Sequence, residues 1–248
     1  MKRLALAPLL GAFLVTVDPS PVRAEWFVDL YAGKSFTLDA DIKIKQPANN
    51  SNFTVESVSF DDESFKDPHY YGARVGHFFE GFPSLGLAIE FFHFKMLAET
   101  DDSKRFTGTR NGAAINVVQP VNTVIQRFNI SHGVNYLTLD VILRTGFFED
   151  KERFPRGRLQ AYAGIGPGVV IVHPENKVEG LNNKESYEIG GFGIQAMIGA
   201  KVLLFKNFGV FAEYKFTHSN LDVDLGTGSG SVDENTHHAV FGITIPFR

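Results

Sequence analysis

His218 and Ser219 stand side by side in an alternating run, FAEYKFTHSN, from Phe211 to Asn220. A serine hydroxyl becomes a nucleophile when an imidazole nitrogen within about 3 Å takes its proton and a carboxylate orients the imidazole. Glu213 or Asp222 could supply that acid. Adjacent residues of a regular strand, however, point to opposite faces. His218 then shares a face with Phe216 and Asn220, and Ser219 shares one with Thr217. Only a bulge would reunite the pair. The expectation is therefore polar residues at the rim of a strand and no catalytic residue, with the His218–Ser219 hydrolase as the alternative.

The remaining chemistry-bearing clusters are weaker. Asp222, Asp224, Asp233 and Glu234 flank a glycine-rich stretch, Gly226 to Gly230. Such oxygen ligands can hold Ca²⁺, but their spacing is not that of an EF-hand loop. A solvated, mobile loop is expected. His237 and His238 are adjacent, so one points inward and one outward. Gly164-Ile165-Gly166-Pro167-Gly168 lacks the Lys-Ser/Thr and the following helix of a phosphate loop. No metal and no cofactor is expected.

These residues sit on elements with a two-residue period, the mark of a strand with one apolar face. Eight such runs follow. Trp26, Val28, Leu30 and Ala32 share the first apolar face, and Tyr71, Ala73 and Val75 the second. Next come Leu85 to Phe91, Leu137 to Leu143, Leu159 to Ile165 and Phe192 to Val202, taken at every second position. Phe208 to Phe216 and Ala239 to Phe247 complete the set. Runs of roughly ten residues are the length a tilted strand needs to cross a bilayer. Long polar connections (Leu38 to Asp67, Leu97 to Ser131, Pro174 to Ser186, Ser219 to Thr236) alternate with shorter links. That asymmetry marks an outer-membrane barrel, with long loops outside and short turns in the periplasm.

The opposite face decides against a soluble sandwich. Glycines recur on it, and its few charges carry both signs: Arg74, Glu90, Asp140, Arg144, Lys201, Glu213 and Lys215. Small residues and mixed charges suit the narrow interior of an eight-stranded antiparallel up-and-down transmembrane barrel. These charges are expected to pair across strands, because an unpaired buried charge is costly. Side chains fill an interior of this size, so no wide pore is expected. A narrow path for small solutes past Arg74, Glu90, Arg144 and Lys201 is a further alternative.

Composition agrees. Lys2 and Arg3, the apolar run Leu4 to Val17 and the small residues before Glu25 form a secretory leader cut between Ala24 and Glu25. Residues 1–24 are then the signal peptide and residues 25–248 one barrel domain. A net charge of −4 offers no basic face for nucleic acid. The absence of cysteine fits an exported chain without disulfides.

The stretches WFVDLYAGKSF, QAYAGIGPGVVI, FGVFAEYKFTHSN and HHAVFGITIPFR resemble the OmpA-like outer-membrane β-barrel superfamily of Gram-negative bacteria. The resemblance spans the mature chain and implies a monomer in the bacterial outer membrane, in contact with membrane lipid and lipopolysaccharide. It implies insertion by the barrel-assembly machinery through a terminal aromatic signal, matched here by Phe241, Ile243, Ile245 and Phe247. Arg248 follows that aromatic, where the family ends on it. The implied role is structural or interactive, through long loops offered to an extracellular partner, without enzyme activity. Some similar barrels are lipid A deacylases, which use a His-x-Ser-Asn stretch. Here His218 and Ser219 lack the intervening residue.

Overall fold

The structure, a computed structural model, describes residues 24–247. The leader expected over residues 1–24 lies, apart from Ala24, outside the described residues, as does Arg248. Fifteen strands follow one another along the chain. They are β1 (Glu25–Thr37), β2 (Ala40–Gln46), β3 (Ser51–Val58), β4 (Phe60–Asp61), β5 (Tyr71–Phe78), β6 (Leu85–Ala98), β7 (Ser103–Arg110), β8 (Ala113–Pro120), β9 (Ile125–Phe147), β10 (Leu159–Val172), β11 (Glu175–Val178), β12 (Leu181–Asn182), β13 (Glu188–Phe205), β14 (Phe208–Asp224) and β15 (Ser229–Phe247).

Eight of them (β1, β5, β6, β9, β10, β13, β14, β15) pair antiparallel in that order, and β1 pairs back onto β15. The closing register runs without a break from Trp26 opposite Phe247 to Thr37 opposite Thr236. Closure pairs both edges of the ring, which an open sheet leaves exposed. The eight alternating runs of the sequence lie within these eight strands, one in each.

The four stretches expected as polar loops require a correction. Leu38 to Asp67 contains β2, β3 and β4, and Leu97 to Ser131 contains β7, β8 and the start of β9. Pro174 to Ser186 contains β11 and β12, while β14 and β15 run on to a turn at residues 225–228. The residues expected as a mobile acidic loop are thus hairpin strands. The reason lies in composition. In β2 the inward Ile42 and Ile44 alternate with exposed Lys43 and Lys45, so average polarity hides the period. These extra strands extend the sheet from the far end of β15 through β2, β3 and β7 to β8 at its edge.

One strand displays how the molecule is layered. Along the inward face of β14 come Glu213 and Lys215, then Thr217 and Ser219, then Leu221 and Val223, all buried. The first tier is ionic, the second hydroxylic and the third apolar. The third joins a core formed by Ile42, Phe53, Val55 and Phe106 of the added strands with Phe128 of β9 and Val232 of β15. The outward face changes in step. Val210, Ala212 and Tyr214 are exposed with Phe216 half-buried beside them, followed by exposed His218, Asn220, Asp222 and Asp224.

Inward aromatic side chains lie over glycines of the neighbouring strand. A Cβ placed on Gly72 would overlap the Tyr31 ring, which lies against β5 from the neighbouring strand. Gly72→Val is expected to destabilise the protein by about 1–3 kcal/mol through overpacking. Urea unfolding in lipid vesicles measures this, and an unchanged midpoint would contradict the close approach.

Candidate functional site inside the ring

The inward charges meet in one buried network. The Arg74 guanidinium donates to both carboxylate oxygens of Glu90 (3.0 and 3.1 Å) and of Glu213 (2.9 Å each), and reaches Asp29 at 3.3 Å. Lys215 Nζ donates to Glu90 at 2.5 Å and lies 3.9 Å from the centre of the Phe92 ring. Lys201 Nζ donates to both oxygens of Asp29 at 2.8 Å and sits 4.2 Å from the centre of the Phe27 ring. Tyr31 donates to Glu90, and Tyr162 donates to Glu213 at 2.8 Å. Three cations thus face three anions, with aromatic rings adding cation–π contacts.

Two of the remaining charges flank this network. Asp140 accepts from Gln195 Nε2 at 2.7 Å and from the Thr138 hydroxyl at 3.2 Å. Gln195 also donates to Glu90 at 2.6 Å, which links the two groups. Arg144 lies toward the end where β1 begins, bound to Glu25 and to the Pro83 carbonyl at 3.1 Å. Its guanidinium stacks 3.6 Å from the centre of the Phe78 ring. A gap of ≈ 10 Å³ between Phe27, Arg74, Arg144 and Lys201 has room for about one water.

The structure thus places Arg74, Glu90, Asp140, Arg144, Lys201, Glu213 and Lys215 on the inner wall, all buried. It adds Glu25, Asp29, Tyr31, Tyr162 and Gln195, which the sequence reasoning left out of the site. Each shares the strand parity of a glycine or charge already assigned inward, so the signal was present. Tyr31 and Tyr162 carry no evident chemistry in the sequence, because a phenol gains a role in the site only once its hydroxyl has a partner.

The second tier centres on Glu234, which is buried and accepts hydroxyl hydrogen bonds from Tyr136 (2.6 Å), Thr217 (2.7 Å) and Ser219 (2.9 Å). Thr217 also bonds the buried His238 ring at 3.0 Å. Pairing of β14 with both neighbours runs through residues 217–219 without a bulge. Ser219 therefore points inward, while His218 points outward and bonds Asn235 at 3.0 Å. The structure does not bring the two together. Nor is Ser219 a rim residue, because inward-facing Leu221 and Val223 lie beyond it. His237 faces outward and bonds Tyr214 at 2.6 Å. Phe241, Ile245 and Phe247 are exposed on the outer face of β15, with Ile243 half-buried between them.

Neither a protein-family model nor a curated protein matches the chain. Among solved structures, the arrangement is similar to outer membrane protein OprG from Pseudomonas aeruginosa. Identity is 10%, coverage 92% of this chain and 97% of that one, and the TM-score 0.45. Neisserial surface protein A is similar at 9% identity, 90% and 97% coverage and a TM-score of 0.41. The outer membrane protease OmpT from Escherichia coli is similar at 8% identity, 94% and 99% coverage and a TM-score of 0.41. None of these likenesses carries a function over to this chain.

Two outcomes follow from the geometry. Arg74→Met leaves Asp29, Glu90 and Glu213 short of a buried cation and is expected to cost about 3–5 kcal/mol. Urea unfolding measures the loss, and a change within error would contradict a continuous network. A serine-directed fluorophosphonate probe is expected not to label Ser219 in folded protein; stoichiometric labelling abolished by Ser219→Ala would restore the hydrolase.

Proposed function

We propose that the mature chain is an eight-stranded barrel of the bacterial outer membrane that holds a folded β-structured head outside the cell for contact with an external partner. The observation that carries this reading is the outer face of the ring. Leu139 (56% exposed), Phe192 (77%), Ile198 (58%) and Phe241 (66%) belong to an apolar belt that runs around all eight strands. A water-soluble monomer rarely exposes more than a few hundred Å² of contiguous apolar surface. The belt on β15, Ala239 to Phe247, is about as long as a tilted membrane strand requires. No helix among the described residues is long and apolar enough to cross a membrane, so any crossing by these residues is by strands.

The interior supports display rather than transport. The ionic network, the Glu234 tier and the apolar core of the head succeed one another along the axis, each closed by side chains. We assign no enzyme activity, since Ser219 and His218 stand on opposite faces. The role needs no cofactor. Lipid and lipopolysaccharide are the partners of the belt, and the barrel-assembly machinery is the partner during insertion. The extra strands β2, β3, β7 and β8 carry the surface offered outside. A narrow solute path is the weaker reading, because it requires the network around Arg74 to open.

The native chain contains no cysteine, which makes orientation directly measurable. Val118, on the edge strand β8, and Lys206, between β13 and β14, are both exposed. A membrane-impermeant maleimide added to intact cells is expected to label Val118→Cys and to spare Lys206→Cys until the outer membrane is permeabilised. Equal labelling of both, or recovery of the protein in the soluble fraction, would contradict the reading. Planar bilayers containing the protein are expected to show no stable open level; steady conductance would favour the narrow channel.

A further inference from the structure

Where β9, β10 and β11 meet, the strand pairing is interrupted on both sides of one short segment. β6 passes from pairing Val134 to pairing Ile130, a register shift that leaves Ser131, His132 and Gly133 as a bulge in β9. Gly133 adopts φ +114°, and a Cβ there would run into the His93 ring, so the bulge requires glycine. Asn135 fixes it by donating to the Gly133 and Ile171 carbonyls, each at 3.0 Å. On the other side, β10 ends at Val172 and β11 starts at Glu175, with His173 and Pro174 at the corner. The bulge and the corner thus turn two histidines and a carboxylate toward one point.

His132 Nδ1 and Glu175 Oε1 are 2.5 Å apart, and the His132 and His173 ring centres are 4.9 Å apart. One ligand atom from each of His132, His173 and Glu175 lies within 4.8 Å of the other two. Tyr187 packs against His173 edge-on, with 4.8 Å between ring centres. The Ser131 hydroxyl donates to Glu175. His173 Nδ1 is buried without a hydrogen-bond partner, an arrangement that costs free energy unless a ligand satisfies the ring.

We propose that His132, His173 and Glu175 bind a divalent transition-metal ion of the Zn²⁺ class, which staples the β9 bulge to the β10–β11 corner just outside the apolar belt. Two imidazoles and one carboxylate are a common donor set for Zn²⁺, and they suit Ni²⁺ and Cu²⁺ better than Ca²⁺ or Mg²⁺. Bonds of about 2.0–2.1 Å set tetrahedral donors roughly 3.3 Å apart. The exposed His132 side chain can rotate to close the remaining distance. Ser131 would then orient the carboxylate from behind, as outer partners of metal ligands do. Burial works to raise the Glu175 carboxyl, but hydrogen bonds from Ser131 and His132 outweigh it and hold the group below its ordinary range. None of the three residues stands out in the sequence, because 41 positions (173 − 132) separate the histidines.

The test uses full-length mature protein without a histidine tag, folded in detergent micelles and titrated with ZnCl₂ by calorimetry. One Zn²⁺ per chain and a raised unfolding temperature are expected. His173→Ala or Glu175→Gln should weaken binding by roughly tenfold or more, while a His218→Ala/His237→Ala double variant binds like the parent. Wild-type protein provides a readout that needs no variant: Zn²⁺ should protect His132 from diethylpyrocarbonate, scored by mass spectrometry. Absence of stoichiometric binding, full binding by a His132→Ala/His173→Ala/Glu175→Gln variant, or unprotected His132 at saturating Zn²⁺ would each overturn the proposal.

Discussion

The constraint on which this structure depends is charge balance in a space too narrow for water to supply it. Asp29 comes from β1, Arg74 from β5, Glu90 from β6, Lys201 from β13, and Glu213 and Lys215 from β14. Six side chains on five strands therefore satisfy one another across the ring. Each ion would be expensive to bury alone, and removal of one partner exposes the others to that cost. The network also specifies register. A slip of one residue in β5 or β6 would carry Arg74 or Glu90 to the outer face and draw apolar side chains inward. In the proposed membrane setting, hydrocarbon would penalise the same error from outside.

The head obeys a different rule. Along β14 and β15 beyond Ser219 and Glu234, the inward side chains Leu221, Val223 and Val232 are aliphatic and the outward ones are polar, as in an ordinary water-soluble sheet. The wall of the eight-strand ring below has the reverse pattern, apolar outside and polar inside. Strands β9, β14 and β15 pass through both zones and invert their polarity on the way. Glu234 stands at the inversion, where the Tyr136, Thr217 and Ser219 hydroxyls satisfy its carboxylate. One continuous sheet thus carries an apolar outer face below the inversion and a polar one above it, and it ends in a folded surface instead of a set of free loops.

Much of the ring was legible in the sequence. Eight runs of period-two alternation placed Leu137, Leu139 and Val141 on one face and Thr138, Asp140 and Arg144 on the other, as the strand pairing now has them. The head was not legible, for a physical reason. Its strands are short, and their outward positions carry Lys43, Lys45, Asn52 and Thr54, so mean polarity resembles that of a loop. The inward alternation of Ile42, Ile44, Phe53 and Val55 was the available signal. Pairings within the network, and the meeting of His132 with His173, depend on strand order and bulges, which a single sequence does not display. Adjacency of His218 and Ser219 was informative in the opposite sense: in an unbroken strand it separates them.

The central claim, that the outer face meets hydrocarbon up to the inversion and water beyond it, can be read along a single strand. Nitroxide labels would be placed one at a time at Val210, Ala212, Tyr214, Phe216, His218, Asn220 and Asp222, all on the outer face of β14, in protein folded into lipid vesicles. Collision rates with oxygen and with a water-soluble nickel chelate then report depth. Oxygen dominance is expected at the labels from Val210 to Phe216, with a reversal to nickel accessibility from His218 onward. Nickel accessibility equal to that of Asp222 at Ala212 and Tyr214 would contradict the claim.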